Sequence, residues 1–173
     1  MKVFGTLSLL IGAAITSPSL VARQGTNVTD TFYLKTSGSE NPDHNDLYVY
    51  GYHTGAGLND AVLTPDVETA SKGYLNGTNV QFDLHTTFPW GLYPIGVTNY
   101  AAWQFVELNA GYGIEGFFVN STGLQWSERN GFGGWLVCDW FHNAPQLFYI
   151  YRYYTPKYPA SCSEVKLLTE PTA

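Results

Sequence analysis

From Phe32 onward the sequence is divided into short runs of strand-forming residues, rich in Val, Ile, Tyr, Phe, Trp and Leu. Each run is followed by Gly, Pro, Asn, Asp or Ser, which favour turns. The runs recur about every eight to twelve residues, and no window sustains the period of about 3.6 residues that marks a helix. The sequence therefore predicts an all-β, single compact antiparallel domain, a β-sandwich or barrel of about 9–11 strands, with a β-trefoil as the alternative.

The predicted strands are short, and two turns between them carry clear signals. Asn76-Gly77 predicts a hairpin, because both residues adopt positive φ at little cost. A second turn is predicted at residues 120–123. The strands are predicted near residues 32–36, 47–53, 61–63, 72–75, 80–85, 92–96, 103–108, 117–120, 124–126, 135–141 and 147–153.

The N-terminus has the three-part layout of a secretory signal peptide. Lys2 precedes 13 largely apolar residues, and small residues follow up to Ala22. As a helix, such a run spans about 20 Å, short of the ~30 Å hydrocarbon core of a bilayer. We therefore expect a cleaved signal peptide (1–22), a flexible segment (23–31), one β-rich domain (32–173) and a secreted, extracellular protein.

The charge balance excludes two classes of partner. The chain has 8 Lys+Arg and 14 Asp+Glu, and removal of Lys2 with the signal peptide leaves 7 against 14, a net charge of −7. Nucleic-acid binding needs many basic contacts to phosphate, so neither nucleic acid nor a membrane of acidic lipids is an expected partner. Three N-x-[ST] sequons predict a glycoprotein, with glycans at Asn27, Asn76 and Asn120.

The two cysteines, Cys138 and Cys162, predict a disulfide, because an even count in an exported chain favours pairing. Cys138 lies in a stretch that also holds Asp139 and His142. Alternation along a strand places Cys138 and Asp139 on opposite faces, and His142 is too far along the strand to activate the thiol. The stretch is therefore interpreted as a buried strand, with one face carrying Trp135 and the opposite face carrying Cys138.

Several segments of the chain resemble a family of small secreted proteins of filamentous fungi that is classified as a domain of unknown function. The similar segments are residues 52–60 (YHTGAGLND), 116–120 (GFFVN), 133–140 (GGWLVCDW), 145–148 (PQLF) and 161–162 (SC). The resemblance extends over most of residues 32–168. It implies a fungal, extracellular origin and a β-rich single domain, and it supplies no catalytic residues.

Motifs that carry chemistry are sparse. Glu107 and Glu115 are the best candidates for a glycosidase pair, but they are interpreted as solvated charges beside a turn. The four histidines lack the spacing of a metal site, and no G-x-S-x-G motif supports a serine hydrolase. No catalytic residue, no metal site and no cofactor are therefore predicted.

The aromatic residues provide the candidate ligand-binding positions. Tyr149, Tyr151 and Tyr153 alternate along one strand face, and Trp90 lies in a loop-like setting. Flat rings with nearby polar groups bind sugars, although such rings also pack in ordinary cores. If a ligand binds, we expect these four rings to contact it.

These observations favour a secreted, non-catalytic structural or interaction protein, associated with a cell wall or facing a host. A carbohydrate-binding, lectin-like module is the first alternative and a small glycoside hydrolase is the second. Whether the protein is an enzyme is left open, with a non-enzymatic protein favoured. The expected partner is a cell-wall glycan or another extracellular protein, and the sequence does not define an oligomeric state.

Overall fold

The computed structural model describes residues 31–94, 102–155 and 157–172. The predicted signal peptide (1–22), Asn27 and all but the last residue of the predicted flexible segment (23–31) lie outside the described residues. Thirteen strands form within the described part: β1 (Phe32–Ser37), β2 (Tyr48–Gly55), β3 (Leu58–Thr64), β4 (Lys72–Asn76), β5 (Asn79–Asp83), β6 (Trp90–Tyr93), β7 (Trp103–Phe105), β8 (Glu107–Ala110), β9 (Phe117–Asn120), β10 (Gly123–Trp126), β11 (Phe132–Asp139), β12 (Pro145–Tyr151) and β13 (Cys162–Pro171).

Nine of these strands close an antiparallel barrel. Their order is β3-β8-β6-β5-β4-β1-β13-β11-β12, and the pairing of Gln146 on β12 with Val62 on β3 closes the ring. Outside the ring, β2 pairs with β3 and β1, β7 pairs with β12, and β9 and β10 form a separate hairpin. The predicted all-β antiparallel fold is confirmed, and it is the barrel rather than the sandwich or the trefoil.

The interior of the barrel is filled with side chains, because every second residue of each strand points inward. Leu34, Leu92 and Leu108 are fully buried, and Phe82 and Trp135 are almost so. The barrel is thus a packed core, and function has to be sought on its outside or at its ends.

A second apolar cluster lies on the outer face of β11 and β12, under β7. It contains Leu136, Cys138, Phe148 and Cys162, with Trp103 of β7 packed edge-on against Phe148. The predicted alternation is confirmed for the strand itself, since Trp135 belongs to the inner cluster.

The alternation stops at Asp139, where β11 ends. Phe141–Asn143 form a short 3-10 turn in which His142 has a φ of 67°. The predicted strand at residues 135–141 is therefore confirmed as far as Asp139, whereas the expectation that His142 continues it is wrong. The positive φ turns His142 back toward β3, as described below.

Both predicted hairpins are confirmed. In the first, Asn76 pairs with Asn79, and Gly77 has a φ of 63°. In the second, Asn120 pairs with Gly123, which has a φ of 102°.

Two strand predictions need correction. Residues 103–108 form two strands, because the N–H of Val106 donates to Leu147 while its carbonyl accepts from Ala61, so that Val106 bridges β12 and β3. The segment from Cys162 onward, for which no strand is predicted, is the ten-residue strand β13. It lies between β1 and β11 and places Val165 and Leu167 in the core.

Candidate functional site

Four residues form a row across the outside of the barrel. Tyr52 on β2 pairs with Asp60 on β3, Asp60 pairs with Glu107 on β8, and Glu107 pairs with Tyr93 on β6. Their sequence neighbours Ala61, Leu92 and Leu108 fill the core, so these four side chains point outward. We call Tyr52, Asp60, Glu107 and Tyr93 the outer row.

His142 reaches the outer row from its 3-10 turn. Its Nε2 lies 2.9 Å from Oδ2 of Asp60. Its ring stacks on the ring of Tyr52 with 4.0 Å between centroids and 30° between planes. One residue thus restrains both an exposed aromatic ring and a carboxylate, although Tyr52 and His142 are far apart in the sequence.

Glu107, next in the row, is half-buried and accepts a hydrogen bond at Oε2 from Nδ2 of Asn109, 2.7 Å away. Burial raises the pKa of Glu107, the hydrogen bond from Asn109 lowers it, and the charge of Asp60 raises it further. The net effect is a raised pKa. Glu107 therefore retains its proton more readily than an exposed glutamate does.

The loop of residues 111–114 borders the outer row. The Nε2 of Gln81 donates to the carbonyl of Tyr112 at 3.0 Å, and the N–H of Gly113 donates to the hydroxyl of Tyr93 at 3.2 Å. The loop passes so close to Gly91 that a side chain there would overlap the backbone of Gly113. The fixed loop leaves the Tyr112 side chain 68% exposed.

Exposed apolar side chains accompany the polar groups of this surface. Leu58 lies two residues from Asp60 on the same face of β3, and Phe141 adjoins His142. Leu58 is 49% exposed, Phe141 66% and Tyr52 38%. The surface thus combines carboxyl groups held in fixed positions with exposed rings and aliphatic groups.

Two of the four rings predicted to bind a ligand are in the core. Tyr149 is 1% exposed and packs edge-on against Trp126, and Trp90 is 7% exposed with its Nε1 donating to Thr86. The prediction that these two rings are available to contact a ligand is wrong, because Tyr149 points inward from β12 and Trp90 begins strand β6 with its ring in the core. Tyr151 is half-buried against Tyr149, and Tyr153 lies beyond the end of β12 and is 66% exposed.

A polar chain at one end of the barrel contains residue types of a hydrolytic triad. Nδ1 of His44 lies 2.6 Å from Oγ of Ser163, and Nε2 lies 3.3 Å from Oδ1 of Asp139. Ser39 approaches Ser163, with 2.6 Å between the two hydroxyl oxygens. His44 has no exposed surface. Because a general base must reach its substrate, this burial favours a structural role in which His44 ties its turn to β11 and β13.

The predicted disulfide is confirmed. Cys138 and Cys162 are bonded and occupy directly paired positions on β11 and β13. The next residue of each strand, Asp139 and Ser163, contacts His44, so the bond also fixes the two partners of that histidine.

The remaining predicted positions are placed as follows. Asn76 and Asn120 are exposed at hairpin turns, and their glycosylation stays a prediction. Opposite Glu107 the structure places Asp60 rather than Glu115, which is exposed and precedes β9. Among the described residues, no three His, Cys, Asp or Glu side chains are arranged to hold a metal ion.

The fold and the outer row define a class: a disulfide-linked, closed antiparallel barrel with an aromatic and acidic surface on its outside. The chain belongs to the family described as Domain of unknown function (DUF7907), which matches residues 29–171. No curated protein and no solved structure matches the chain. The described residues contain no helix that is long and apolar enough to cross a membrane.

Proposed function

We propose that the protein is a secreted, non-catalytic interaction protein that binds a cell-wall glycan on the outer row. The observation that carries the proposal is the stack of His142 on Tyr52, with Asp60 bonded to the same histidine. Sugars present a flat apolar face of C–H groups and a rim of hydroxyls. An exposed ring beside fixed carboxyl oxygens complements both.

The rigidity of the surface supports binding. Tyr52 is held by the ring of His142, Glu107 by Asn109 and Tyr93 by the 111–114 loop. A ligand therefore orders few side chains when it binds, and each side chain left mobile would cost roughly 0.5–1.5 kcal/mol.

The charge of the row selects among glycans. Asp60 and Glu107 place two carboxyl groups together on a chain of net charge −6. Acidic polysaccharides are repelled by such a surface, whereas neutral and amino-sugar polymers are not. The proposed ligands are accordingly chitin-like, cellulose-like or β-glucan polymers.

Secretion from a filamentous fungus is part of the same proposal. It is supported by the signal-peptide layout of residues 1–22 and by the disulfide between Cys138 and Cys162, a bond that persists in oxidising compartments. N-terminal sequencing of protein recovered from culture medium checks it. A start near Arg23 is expected, and a chain that retains residues 1–22 in the membrane fraction contradicts it.

A small glycoside hydrolase is the second candidate, favoured by the pairing of Asp60 with Glu107. Glycosidases use two neighbouring carboxyl groups whose environments separate their pKa values, and the raised pKa of Glu107 suits a general acid. The carboxylate of Asp60, bonded to His142, would then be the second group.

One paired experiment separates the two candidates. The protein is mixed with insoluble chitin, cellulose and β-glucan, and both the bound fraction and the release of reducing ends are measured. Binding without release supports the proposal, and release that disappears in Glu107→Gln supports the hydrolase. Neither binding nor release contradicts both.

A further inference from the structure

A cavity of about 480 Å³ lies between the β9–β10 hairpin and the start of β11. This volume falls within the range of roughly 300–1,000 Å³ found for small-ligand pockets. Its wall includes Phe118 and Asn120, and none of its lining residues belongs to the outer row. The proposed glycan-binding surface gives no role to this cavity or to the sequon asparagine in its wall.

Phe118 and Asn120 share one face of β9. Phe117 is buried in the core and Val119 packs against the core. Phe118 and Asn120 alternate with these two residues along the strand and therefore point outward. They are two positions apart along one strand, which brings the Phe118 ring next to the Asn120 side chain. An aromatic ring therefore stands beside the point where a glycan would begin.

The Asn120 side chain is held in an orientation that suits modification. Its Oδ1 accepts hydrogen bonds from the N–H of Thr122 at 2.8 Å and from the hydroxyl of Thr122 at 2.6 Å. Both bonds use the amide oxygen, so Nδ2, the atom to which N-linked sugars attach, is not consumed by them. In that transfer Nδ2 displaces a lipid-linked diphosphate from C1 of the sugar and loses one proton.

The cavity wall matches a sugar in chemistry. The wall combines the aromatic ring of Phe118 with the polar side chains of Gln125, Ser127 and Arg129. An N-acetylglucosamine ring has an apolar face, hydroxyls and one acetamido carbonyl that accepts hydrogen bonds. Aromatic and polar groups in one wall are the combination that such a sugar requires.

We propose that this cavity receives the first N-acetylglucosamine of an N-glycan carried by Asn120, so that the glycan becomes part of the packed structure of the hairpin. The proposal rests on the secretory export contained in the proposed function, and it is independent of what binds the outer row.

Asn76 provides the internal comparison. It also stands at a hairpin turn, with an aromatic residue, Tyr74, two positions before it. Its Nδ2 donates to Oε1 of Gln81 at 3.3 Å, and it does not line the cavity beside Asn120. Both sequons therefore have a neighbouring aromatic ring, and they differ because Asn120 lines the cavity whereas Asn76 does not.

The test uses the protein secreted by a eukaryotic host. Glycopeptide mass spectrometry first measures occupancy of Asn120. The melting temperature is then compared for the full glycan and for protein trimmed by an endoglycosidase to a single N-acetylglucosamine. We expect occupied Asn120 and equal melting temperatures for the two forms, because only the first sugar enters the cavity.

Three substitutions show whether the cavity contacts the sugar. Phe118→Ala is expected to lower the melting temperature of the glycosylated protein by about 2–4 °C more than that of unglycosylated protein made in a bacterial periplasm. Thr122→Ala, which removes the sequon, is expected to abolish that difference, and Thr78→Ala, the control at Asn76, is expected to leave it. Unoccupied Asn120, or an equal effect of Phe118→Ala with and without glycan, overturns the proposal. Glycan pull-down by the outer row is unaffected by either result, so the two proposals fail separately.

Discussion

Asp60 on β3 and Glu107 on β8 lie directly opposite each other on the outside of the barrel. Like charges at directly opposed positions destabilise a sheet. Here the repulsion between the two carboxyl groups is reduced. His142 bonds Asp60, and Glu107 has a raised pKa and accepts a hydrogen bond from Asn109. Both carboxyl groups of the pair are therefore held in place by neighbouring side chains.

The pair predicts a specific dependence of stability on pH. Because burial raises the folded-state pKa of Glu107 above its unfolded value, the folded protein binds the proton more tightly. The resulting stabilisation is fully present below the unfolded pKa and is lost as the pH rises through the folded pKa. Glutamine does not ionise, so Glu107→Gln removes this loss. We expect the free energy of unfolding of Glu107→Gln, measured relative to that of wild type, to be higher at about pH 7 than at about pH 4. Urea unfolding at several pH values measures it, with the exposed Glu115→Gln as the control, and a pH-independent difference contradicts it.

The disulfide predicts a loss of stability without a loss of binding. Replacing Cys138 and Cys162 by Ser opens a link between residues 24 positions apart, which lowers the free energy of unfolding by about 3–4 kcal/mol in the chain-entropy treatment. The outer row lies on β2, β3, β8 and β6 rather than on the linked strands. Denaturant unfolding should register the loss while glycan pull-down stays unchanged. Unaltered stability would show that the bond adds nothing to the fold.

The buried histidine predicts a structural effect at the barrel end. His44→Ala removes a fully buried ring that bonds Ser163 and Asp139, and we expect the free energy of unfolding to fall by about 2–4 kcal/mol. Asp139→Asn is the matched control, since the Asp139 side chain is 62% exposed and its contact with His44 is expected to contribute less than about 1 kcal/mol. Equal effects of the two substitutions would argue against the structural role of the ring.

The close approach at Gly91 predicts an intolerant position. A Cβ at this residue would overlap the backbone of Gly113, and a backbone cannot move aside as a flexible side chain can. Gly91→Ala is expected to displace the 111–114 loop, with reduced yield and a lower melting temperature. Gly55→Ala, where the added atom would meet only the Leu58 side chain at 3.7 Å, is the control and should be tolerated. Full stability of Gly91→Ala would mean that the loop does not pack as described.

Local sequence patterns are sufficient to predict the strands in which apolar and polar residues alternate strongly. Trp135 and Cys138 face opposite sides of β11 as the pattern predicts, and the pairing of Cys138 with Cys162 follows from count and compartment. Strand β13 is not among the predicted strands, although Val165 and Leu167 alternate with Glu164 and Lys166 in the period of two that is typical of a strand.

The candidate site could not be predicted in the same way, because alternation groups residues on a face without saying which face is buried. Tyr149 shows this: it alternates along β12 with Tyr151 as the pattern predicts, but its side chain points into the core, and Tyr153 lies beyond the strand. The outer row requires the register of four strands and a turn that brings His142 to Tyr52. No local pattern encodes such long-range pairings, and Glu107 is the one residue of the row that the sequence marks as a carboxylate candidate.

The most direct test of the account is calorimetric titration of soluble chitin, cellulose and β-1,3-glucan oligosaccharides into wild-type protein, Tyr52→Ala and Tyr153→Ala. Both tyrosines are exposed, but only Tyr52 belongs to the outer row. We expect at least one oligosaccharide to bind wild type, Tyr52→Ala to weaken it about tenfold or more, and Tyr153→Ala to leave the affinity unchanged. No binding by wild type, or equal affinity of wild type and Tyr52→Ala, would contradict the assignment of the outer row as the glycan-binding surface.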